Sequence, residues 1–302
     1  MGTAVSTSDG ANLPDSGVLY VVATPIGNLN DISARATQVL SSVDAIACED
    51  TRHTGKLLRH LAIRITSPRQ LLALHQHNER EQIPKLISRL QAGESIALVS
   101  DAGTPLVSDP GFQLVRAARD VGVTIIPVPG ACAAIAALSV AGLPSDRFVF
   151  EGFPPSKAGE RREHFRSLRA ESRTIIFYEA PHRVIASLRA MAEEFGPDRA
   201  AVVARELTKR FETVRAGGLQ ELADWLAGDP VQQQGEFVIV IHGATTVRQA
   251  QDTEGERVLR ILLASLPVSQ AADLAAAISG AGRRTLYQRA LALRAESEES
   301  DQ

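Results

Sequence analysis

The feature that most constrains the fold of this chain is a regular alternation of short apolar runs with stretches of helical periodicity. Val18–Val22, Ala45–Cys48 and Ile96–Val99 are short runs rich in apolar residues, and each is followed by polar or turn-forming residues. Between such runs apolar residues recur at helical spacing, as Leu114 and Ala118 do. Strands that alternate with helices predict βαβ units and a mainly parallel sheet, whose ligand crevice lies at the carboxyl ends of the strands.

The same alternation pauses near Gly142-Leu143-Pro144 and then resumes, which predicts a second α/β domain. After it, Thr174–Tyr178, Phe211–Ala216 and Phe237–Ile241 are strand signals. We therefore expect a disordered leader over residues 1–16, α/β domains over 17–142 and 143–243, a polar linker over 244–256, and a helical region with a disordered acidic end over 257–302.

Composition excludes several classes of protein. The 302 residues carry a net charge of −3, so any nucleic-acid binding requires a local basic patch rather than a global field. The start of the chain lacks the basic and apolar regions of a signal peptide, and the apolar run Ala131–Leu143 is too short to span a bilayer. Two cysteines are too few for a disulfide or metal framework. We expect a cytoplasmic protein with no membrane contact and no metal.

Polar turns follow the buried strand Ile96–Val99. Ser100 through Pro105 form one such turn, and Ser108 through Gly111 open the next helix, with Asp109 in the position of its N-cap. One turn of this kind can be purely structural, but two in close succession after a buried strand indicate ligand contact. The carboxylate of Asp101 suits a ribose diol or an amino group. The loop after Val18–Val22 lacks the glycine spacing of a dinucleotide site, which disfavours a nicotinamide enzyme.

Eight ordered motifs between residues 18 and 243 resemble those of the 16S ribosomal RNA ribose methyltransferases in the tetrapyrrole (corrin/porphyrin) methylase family. They are Leu19 through Leu29, Glu49-Asp50-Thr51-Arg52, Ser100 through Gly111, Val128-Pro129-Gly130, Phe150 through Pro155, Tyr178-Glu179-Ala180-Pro181-His182-Arg183, Arg205-Glu206-Leu207-Thr208-Lys209 and Gly235-Glu236-Phe237-Val238. The resemblance implies the two-domain α/β fold of that family, with a small helical C-terminal region and a homodimeric state.

The resemblance also implies S-adenosylmethionine, bound in the cleft between the two α/β domains. The residues that would contact it or line the cleft are Thr24, Pro25, Ser100, Asp101, Ala102, Gly103, Thr104, Pro129, Gly130, Ala131, Tyr178, Gly235, Glu236 and Phe237. The reaction implied is methylation of the ribose 2′-oxygen of a cytidine (cytidine 1402) in 16S rRNA, within the small ribosomal subunit.

A proton acceptor and phosphate contacts are the remaining parts of such a site. We expect Glu206 or Asp50 as the proton acceptor, with Lys209 in the same cluster. The residues expected to contact RNA are Arg52, His182, Arg183, Arg205, Arg161, Arg162 and Arg166. Other interpretations stay open: Glu49 through Arg52 could form a helix cap, Arg205 through Lys209 a surface charge ladder, and the basic stretch from Ala158 to Arg169 a solvated helix face.

Two other functions compete with this interpretation. A methylase acting on a corrinoid metabolite would share the cofactor loops but not the charged motifs, and a non-catalytic nucleotide-binding module would not need charges at every loop. In the tail, Ala271–Ile278 and Thr285–Arg294 resemble a small helix-turn-helix, and a helical cap that stabilises a dimer is the equal alternative.

Overall fold

The computed structural model describes residues 17–64 and 70–300, with side chains described outside 245–252 and 295–300. The first half contains β1 (Val18–Val22), α1 (Ala34–Ser42), β2 (Ala45–Cys48), α2 (Thr51–His60), β3 (Leu71–Ala73), α3 (Glu79–Gln91), β4 (Ile96–Val99), α4 (Phe112–Asp120), β5 (Thr124–Val128) and α5 (Ala133–Val140). The second half contains β6 (Phe148–Gly152), α6 (Ala158–Ser167), β7 (Thr174–Glu179), α7 (Val184–Phe195), β8 (Ala200–Arg205), β9 (Thr213–Gly218), α8 (Leu219–Gly228), β10 (Phe237–Ile241), α9 (Thr245–Leu263), α10 (Val268–Ser279) and α11 (Arg283–Ser300).

The first sheet is fully parallel, in the order β3-β2-β4-β1-β5, as the alternation of strands and helices predicts. Its central strands are buried on both faces: Leu19 and Ile96 are fully buried and pack with Leu90 and Leu114 of the helices. Apolar runs without strict alternation are what such doubly covered strands require. The carboxyl ends of β1, β4 and β5 meet at one edge of this sheet.

The second sheet is mixed, in the order β6-β7-β10-β8-β9, so the expectation of mainly parallel strands is wrong for this half. Strand β10 inserts between β7 and β8 and runs antiparallel to both. Strand β9 begins at Thr213 and pairs antiparallel with β8. The loop between β8 and β9 is too short for the crossover that a parallel pair needs.

Helix α5 packs on the second sheet, although it precedes the expected boundary at residue 142. Ala137 and Leu138 lie in one apolar cluster with Ile176 of β7 and Val240 of β10. The small side chains of this alanine-rich helix allow close approach to the sheet. The helix therefore follows the first sheet along the chain but contributes to the core of the second, which joins the two halves.

The C-terminal region is more helical than expected. Residues 245–256, expected as a polar linker, belong to α9, and the acidic end expected to be disordered continues α11 as far as Ser300. Glutamine, glutamate and arginine are good helix formers, so a polar composition does not exclude a helix. Leu259, Ala275 and Leu286 form the core of these three helices. The expected disordered leader, residues 1–16, lies outside the described residues.

The predicted fold class is confirmed: two α/β halves and a small helical C-terminal region. In the part of the chain that the structure describes, no helix is long and apolar enough to cross a membrane.

Candidate active site

Backbone contacts hold the loops after β1 and β4 together at the edge of the first sheet. Thr24 N donates to Gly103 O at 2.8 Å, and Gly103 N donates to Thr24 O at 3.1 Å. The hydroxyl of Thr24, which is buried, donates to Ser100 O at 3.2 Å. Gly103 has φ +84° and a Cβ there would lie 3.3 Å from Ile26 Cγ2, so both conformation and space favour glycine.

The turn after β5 completes the same edge. Thr104 Oγ1 donates to Ala131 O at 2.9 Å, and a Cβ on Gly130 would lie 2.9 Å from Ala23 Cβ. From the second half, Tyr178 Oη accepts a hydrogen bond from Ala134 N at 3.1 Å. The rings of Phe150 and Phe153 pack edge-on against Tyr178. These contacts place both sheets around one cleft.

A cavity of about 360 Å³ lies in this cleft. It is lined by Ile26, Asp101, Ala102, Gly103, Thr104, Val107, Ser108, Asp109, Cys132, Ala133, Phe153, Tyr178, Glu179, Ala180, Pro181, Glu236, Phe237 and Val238. Seven residues expected to bind the cofactor are among them: Asp101, Ala102, Gly103, Thr104, Tyr178, Glu236 and Phe237. The other seven, Thr24, Pro25, Ser100, Pro129, Gly130, Ala131 and Gly235, belong to the adjoining loops.

Several lining residues were not singled out as ligand contacts from the sequence. Asp109 was expected as the N-cap of α4, but that position is taken by Gly111, which has φ +118°. Cys132 stands in an apolar segment, and Phe153 belongs to the motif Phe150 through Pro155, which was not expected to contact the cofactor. The sequence feature that indicates a ligand contact for Asp109 is the Ser-Asp-Pro-Gly turn, which follows the loop of Asp101.

The cavity suits S-adenosylmethionine in volume and in charge. A small-molecule site of a few hundred cubic ångströms with a mainly apolar wall is typical. None of the described residues that line it is Lys, Arg or His, whereas Asp101, Asp109 and Glu236 face it with carboxyl groups. The sulfonium and the α-ammonium of this cofactor are cationic, so an acidic cavity stabilises them. The residues present therefore fit the group.

Three carboxyl groups from different loops are close together beside the cavity. Asp101 accepts a hydrogen bond from Asp50 N at 3.1 Å and contacts His53 Nδ1 at 3.3 Å. Burial raises the pKa of Glu49, and the charge of Asp101 raises it further. Burial, together with the charge of Glu49, raises the pKa of Asp109 to about 6, although a hydrogen bond with Ser100 opposes the change.

The two carboxylates expected as proton acceptors are held by other groups. Asp50 accepts from Arg52 N at 2.8 Å and pairs with the Arg52 guanidinium at 2.7 Å, which holds its pKa well below the ordinary range. Glu206 pairs with Lys209 Nζ at 2.9 Å and accepts from Glu236 N at 3.0 Å. Burial raises the pKa of Glu206, but these hydrogen bonds outweigh it and leave the pKa lowered.

Neither Asp50 nor Glu206 is among the described residues that line the cavity. Lys209 also pairs with Glu236, at 3.0 Å, so its ammonium bridges two carboxylates. A Cβ on Gly235 would overlap the Glu206 side chain, which is packed against that glycine. Both carboxylates are therefore weak bases engaged in the loop structure, and the role of Glu206 or Asp50 as proton acceptor stays a prediction.

The basic stretch of α6 is mostly occupied by contacts within the protein. Arg161 is 7% exposed and donates to Ser156 O at 3.1 Å, so its guanidinium is engaged within the protein, and its role as an RNA contact stays a prediction. Arg162 and Arg166 pair with Glu194 of α7 at 3.4 and 3.2 Å. The side chain of Glu194 is 9% exposed, so these pairs stabilise the packing of α6 on α7.

Arg205 is likewise a structural residue. It is 5% exposed and donates to the carbonyl oxygens of Gln234, Phe211 and Val231 at 2.6, 3.1 and 3.0 Å. These contacts engage the guanidinium within the protein, and its role as an RNA contact stays a prediction.

The other arginines and histidine of the motifs differ in exposure. Arg183 pairs with the buried Glu179 at 2.9 Å, and its own side chain is 20% exposed. The Arg52 side chain is 88% exposed and His182 is exposed. Among the residues expected to contact RNA, Arg52 and His182 are the two whose polar groups face solvent beside the cleft. No group of three or more His, Cys, Asp or Glu among the described residues is placed to hold a metal ion.

Sequence families identify the class of protein. The family of Tetrapyrrole (Corrin/Porphyrin) Methylases matches residues 18–223, and the chain belongs to this family. The RsmI C-terminal HTH domain matches residues 249–294, which covers most of α9, α10 and α11. The chain is therefore a methyltransferase, with S-adenosylmethionine as its methyl donor.

The similar curated proteins are more specific. The Ribosomal RNA small subunit methyltransferase I of Pseudomonas aeruginosa is 55% identical over 278 residues, which is 91% of this chain and 97% of that protein. Proteins of the same name from Xylella fastidiosa and Escherichia coli O157:H7 are 56% and 49% identical, over 90% and 91% of this chain and 98% and 95% of their own lengths.

Solved structures support the fold. Diphthine synthase superposes with a TM-score of 0.55 at 17% identity, covering 75% of this chain and 90% of its own. Uroporphyrin-III-C-methyltransferase from Thermus thermophilus superposes with a TM-score of 0.53 at 21% identity, covering 75% and 94%. These proteins share the architecture of the two sheets and are not evidence for a substrate.

Proposed function

We propose that this protein transfers a methyl group from S-adenosylmethionine to the ribose 2′-oxygen of a cytidine in 16S rRNA of the small ribosomal subunit. The names of relatives at about half identity over nine-tenths of the chain support the rRNA substrate. The observation that carries the proposal is the acidic, mainly apolar cavity between the two sheets, because it fits a cationic cofactor.

In this reaction the cofactor supplies an intrinsically activated methyl group, so the protein contributes mainly orientation and proton removal. We assign the loops after β1, β4 and β5 to cofactor binding. Asp101 presents a carboxylate to a ribose diol or an ammonium group, and the bridge between Thr24 and Gly103 holds its loop in place. Tyr178 and Phe237 supply apolar surface on the opposite wall.

For the RNA, we assign Arg52 and His182 to phosphate or sugar contacts at the mouth of the cleft. The C-terminal helices are a second candidate surface, since the matching domain is of the helix-turn-helix type. Arg284 is exposed at the start of α11. Phosphate contacts of this kind give binding that weakens as salt increases.

The experiment that tests the function is transfer of a tritiated methyl group to small ribosomal subunits that lack the modification, followed by nucleoside analysis. We expect the label in 2′-O-methylcytidine at a single position. Label in a base methyl group, or in no nucleoside at all, would contradict the proposal. A parallel reaction with a tetrapyrrole precursor separates it from methylation of a corrin-type metabolite.

The cofactor site has its own prediction. Asp101→Ala is expected to weaken calorimetric binding of S-adenosylmethionine by about 1–3 kcal/mol, since a charge-assisted hydrogen bond is lost. Asp146→Ala, an exposed aspartate outside the cavity lining, is the matched control and should bind normally. Unchanged affinity in a folded Asp101→Ala protein would remove Asp101 from the cofactor site.

We further propose a cytoplasmic homodimer. Apolar side chains stand exposed at the edge strand β9: Val214, within the strand, is 41% exposed, and Phe211, just before it, is 62% exposed. An exposed edge with apolar neighbours is a surface that a second copy can cover. Sedimentation velocity at micromolar concentration distinguishes a dimer of twice 32.3 kDa from a monomer.

A further inference from the structure

We propose that Asp109 is the proton acceptor of the reaction: its carboxylate takes the proton from the attacking ribose 2′-hydroxyl. The inference rests on the proposed function. Asp109 lines the cavity, whereas the carboxylates first expected in this role, Glu206 and Asp50, belong to ion pairs outside its lining.

The other carboxyl groups that line the cavity have partners. Glu179 is fully buried, pairs with Arg183 and accepts hydrogen bonds from Ala180 N and Ser187 Oγ. Glu236 pairs with Lys209, and its side chain is 75% exposed. Asp101 accepts from Asp50 N and contacts His53. Among the described residues Asp109 has no ion-pair partner, and the Ser100 hydroxyl is the side-chain group that lowers its pKa, so its carboxylate is able to accept a proton.

The loop that carries Asp109 is held rigidly. Glu79 of α3 is 8% exposed, and its Oε1 accepts a hydrogen bond from Gly111 N at 3.1 Å. A Cβ on Gly111 would lie 2.8 Å from Leu98 Cδ2, and the residue has φ +118°, so the backbone there is packed directly on β4. A general base needs this kind of fixed placement, because proton transfer depends on hydrogen-bond reach.

The surroundings of Asp109 are acidic and partly desolvated. The ionisable groups that face it or its immediate neighbours are Glu49 after β2, Asp101 and His53 beside the β4 loop, Glu79 of α3, and Tyr178 and Glu179 of β7. Burial and the Glu49 charge raise the pKa of Asp109 to about 6, nearer to neutral pH than that of an ordinary aspartate. A base with a pKa near the working pH is the most effective one.

In the proposed step the ribose 2′-hydroxyl is the nucleophile, and the methyl group of S-adenosylmethionine is the group transferred. The 2′-oxygen forms a bond to the methyl carbon, the sulfur–methyl bond breaks with its electron pair passing to sulfur, and the hydroxyl proton moves to the Asp109 carboxylate. Asp109 then releases the proton to solvent once the product has left.

The test compares Asp109→Asn with the wild type in single-turnover methyl transfer to small subunits and in calorimetric binding of S-adenosylmethionine. We expect the rate to fall roughly 100- to 10,000-fold, the usual contribution of a positioned base, with a much smaller loss of cofactor affinity, since only one of the carboxyl groups of the acidic cavity is removed. The wild-type rate should rise with pH and level off above about pH 6. Asp120→Asn, at the far end of α4, is the matched control and should react at the wild-type rate.

A second readout does not depend on activity. The pKa of Asp109 is raised from 3.8 to about 6 in the folded protein. Ionisation of Asp109 therefore lowers the free energy of unfolding of the wild type progressively as the pH rises between these values. The melting temperature of Asp109→Asn should therefore exceed that of the wild type by a margin that grows between pH 4 and 6 and is constant above. A difference in melting temperature that does not change with pH would contradict the interpretation that Asp109 is a desolvated carboxylate.

The remaining outcomes separate the inference from the function it rests on. A folded Asp109→Asn protein that reacts within a few-fold of the wild type overturns the inference alone, and so does loss of cofactor affinity in place of rate, because Asp109 would then be a cofactor ligand. If Glu206→Gln loses the rate and Asp109→Asn does not, Glu206 is the base. A wild type that transfers no methyl group to the subunit overturns both the inference and the proposed function.

Discussion

Glu179→Ala is expected to lower the free energy of unfolding by about 3–5 kcal/mol, the cost of breaking a buried ion pair by removing one partner. The Glu179 side chain is completely buried at the end of β7. Its carboxylate pairs with the Arg183 guanidinium at 2.9 Å and accepts hydrogen bonds from Ala180 N at 2.8 Å and from the hydroxyl of Ser187. Without it, Arg183 keeps a charge that is mostly removed from water and has lost its partner.

Urea denaturation with linear extrapolation measures this effect. Glu81→Ala is the matched control, because Glu81 pairs with Lys85 at 2.7 Å on the exposed face of α3. An exposed pair of this type contributes about 0.3–0.5 kcal/mol. If the free energy of unfolding falls by a similar amount in the two variants, the hydrogen bonds and ion pair of Glu179 contribute no more than a surface pair. The interpretation of Glu179 as a buried stabilising group at the end of β7 is then wrong.

Arg205→Ala is expected to destabilise the protein by at least about 3 kcal/mol, since hydrogen bonds to a charged donor contribute roughly 1.5–3 kcal/mol each. The buried guanidinium joins three carbonyl oxygens from two loops, and the truncation leaves all three without this donor. Arg205→Lys should recover only part of the loss, because a single ammonium does not reproduce the planar fork.

The informative comparison is with Arg52→Ala. The exposed Arg52 pair with Asp50 should contribute less than about 1 kcal/mol to stability. Its removal should instead reduce the salt dependence of binding to the small subunit by about one unit of slope, the effect of one phosphate contact. A normal unfolding curve for Arg205→Ala together with a reduced salt slope would restore Arg205 as an RNA contact.

Part of the cofactor region was predictable from the positions of the motifs in the sequence. The family resemblance implied that Asp101, Gly103 and Tyr178 lie in the cleft, and all three line the cavity. Loops that follow parallel strands must meet at one edge of the sheet, so the position of a motif after a strand predicts where it lies. The strands themselves, such as Ile96–Val99, were readable because buried parallel strands are continuous apolar runs.

Charged side chains were less predictable, because a sequence does not show which partner a charge will find. Arg161 and Arg205 stand in basic motifs typical of RNA contacts, yet both are buried and donate to backbone carbonyls. Glu206 is a carboxylate in a charged motif, as expected of a general base, but it pairs with Lys209 and accepts a hydrogen bond from the Glu236 amide. Asp109 was interpreted as a helix cap because Asp before Pro commonly plays that role.

The sequence by itself determined the class of fold, the strands β1, β2 and β4 of the parallel sheet and the loops that follow them, because hydrophobic periodicity and turn chemistry are local properties; the short strand β3 gave no such signal. Only the tertiary structure decided three things: that β10 inserts antiparallel between β7 and β8, that α5 packs on the second sheet, and which carboxylate faces the cavity unpaired. Each of these depends on contacts between residues far apart in the chain. Burial and pairing, which set the pKa of a carboxyl group, arise only when those segments come together.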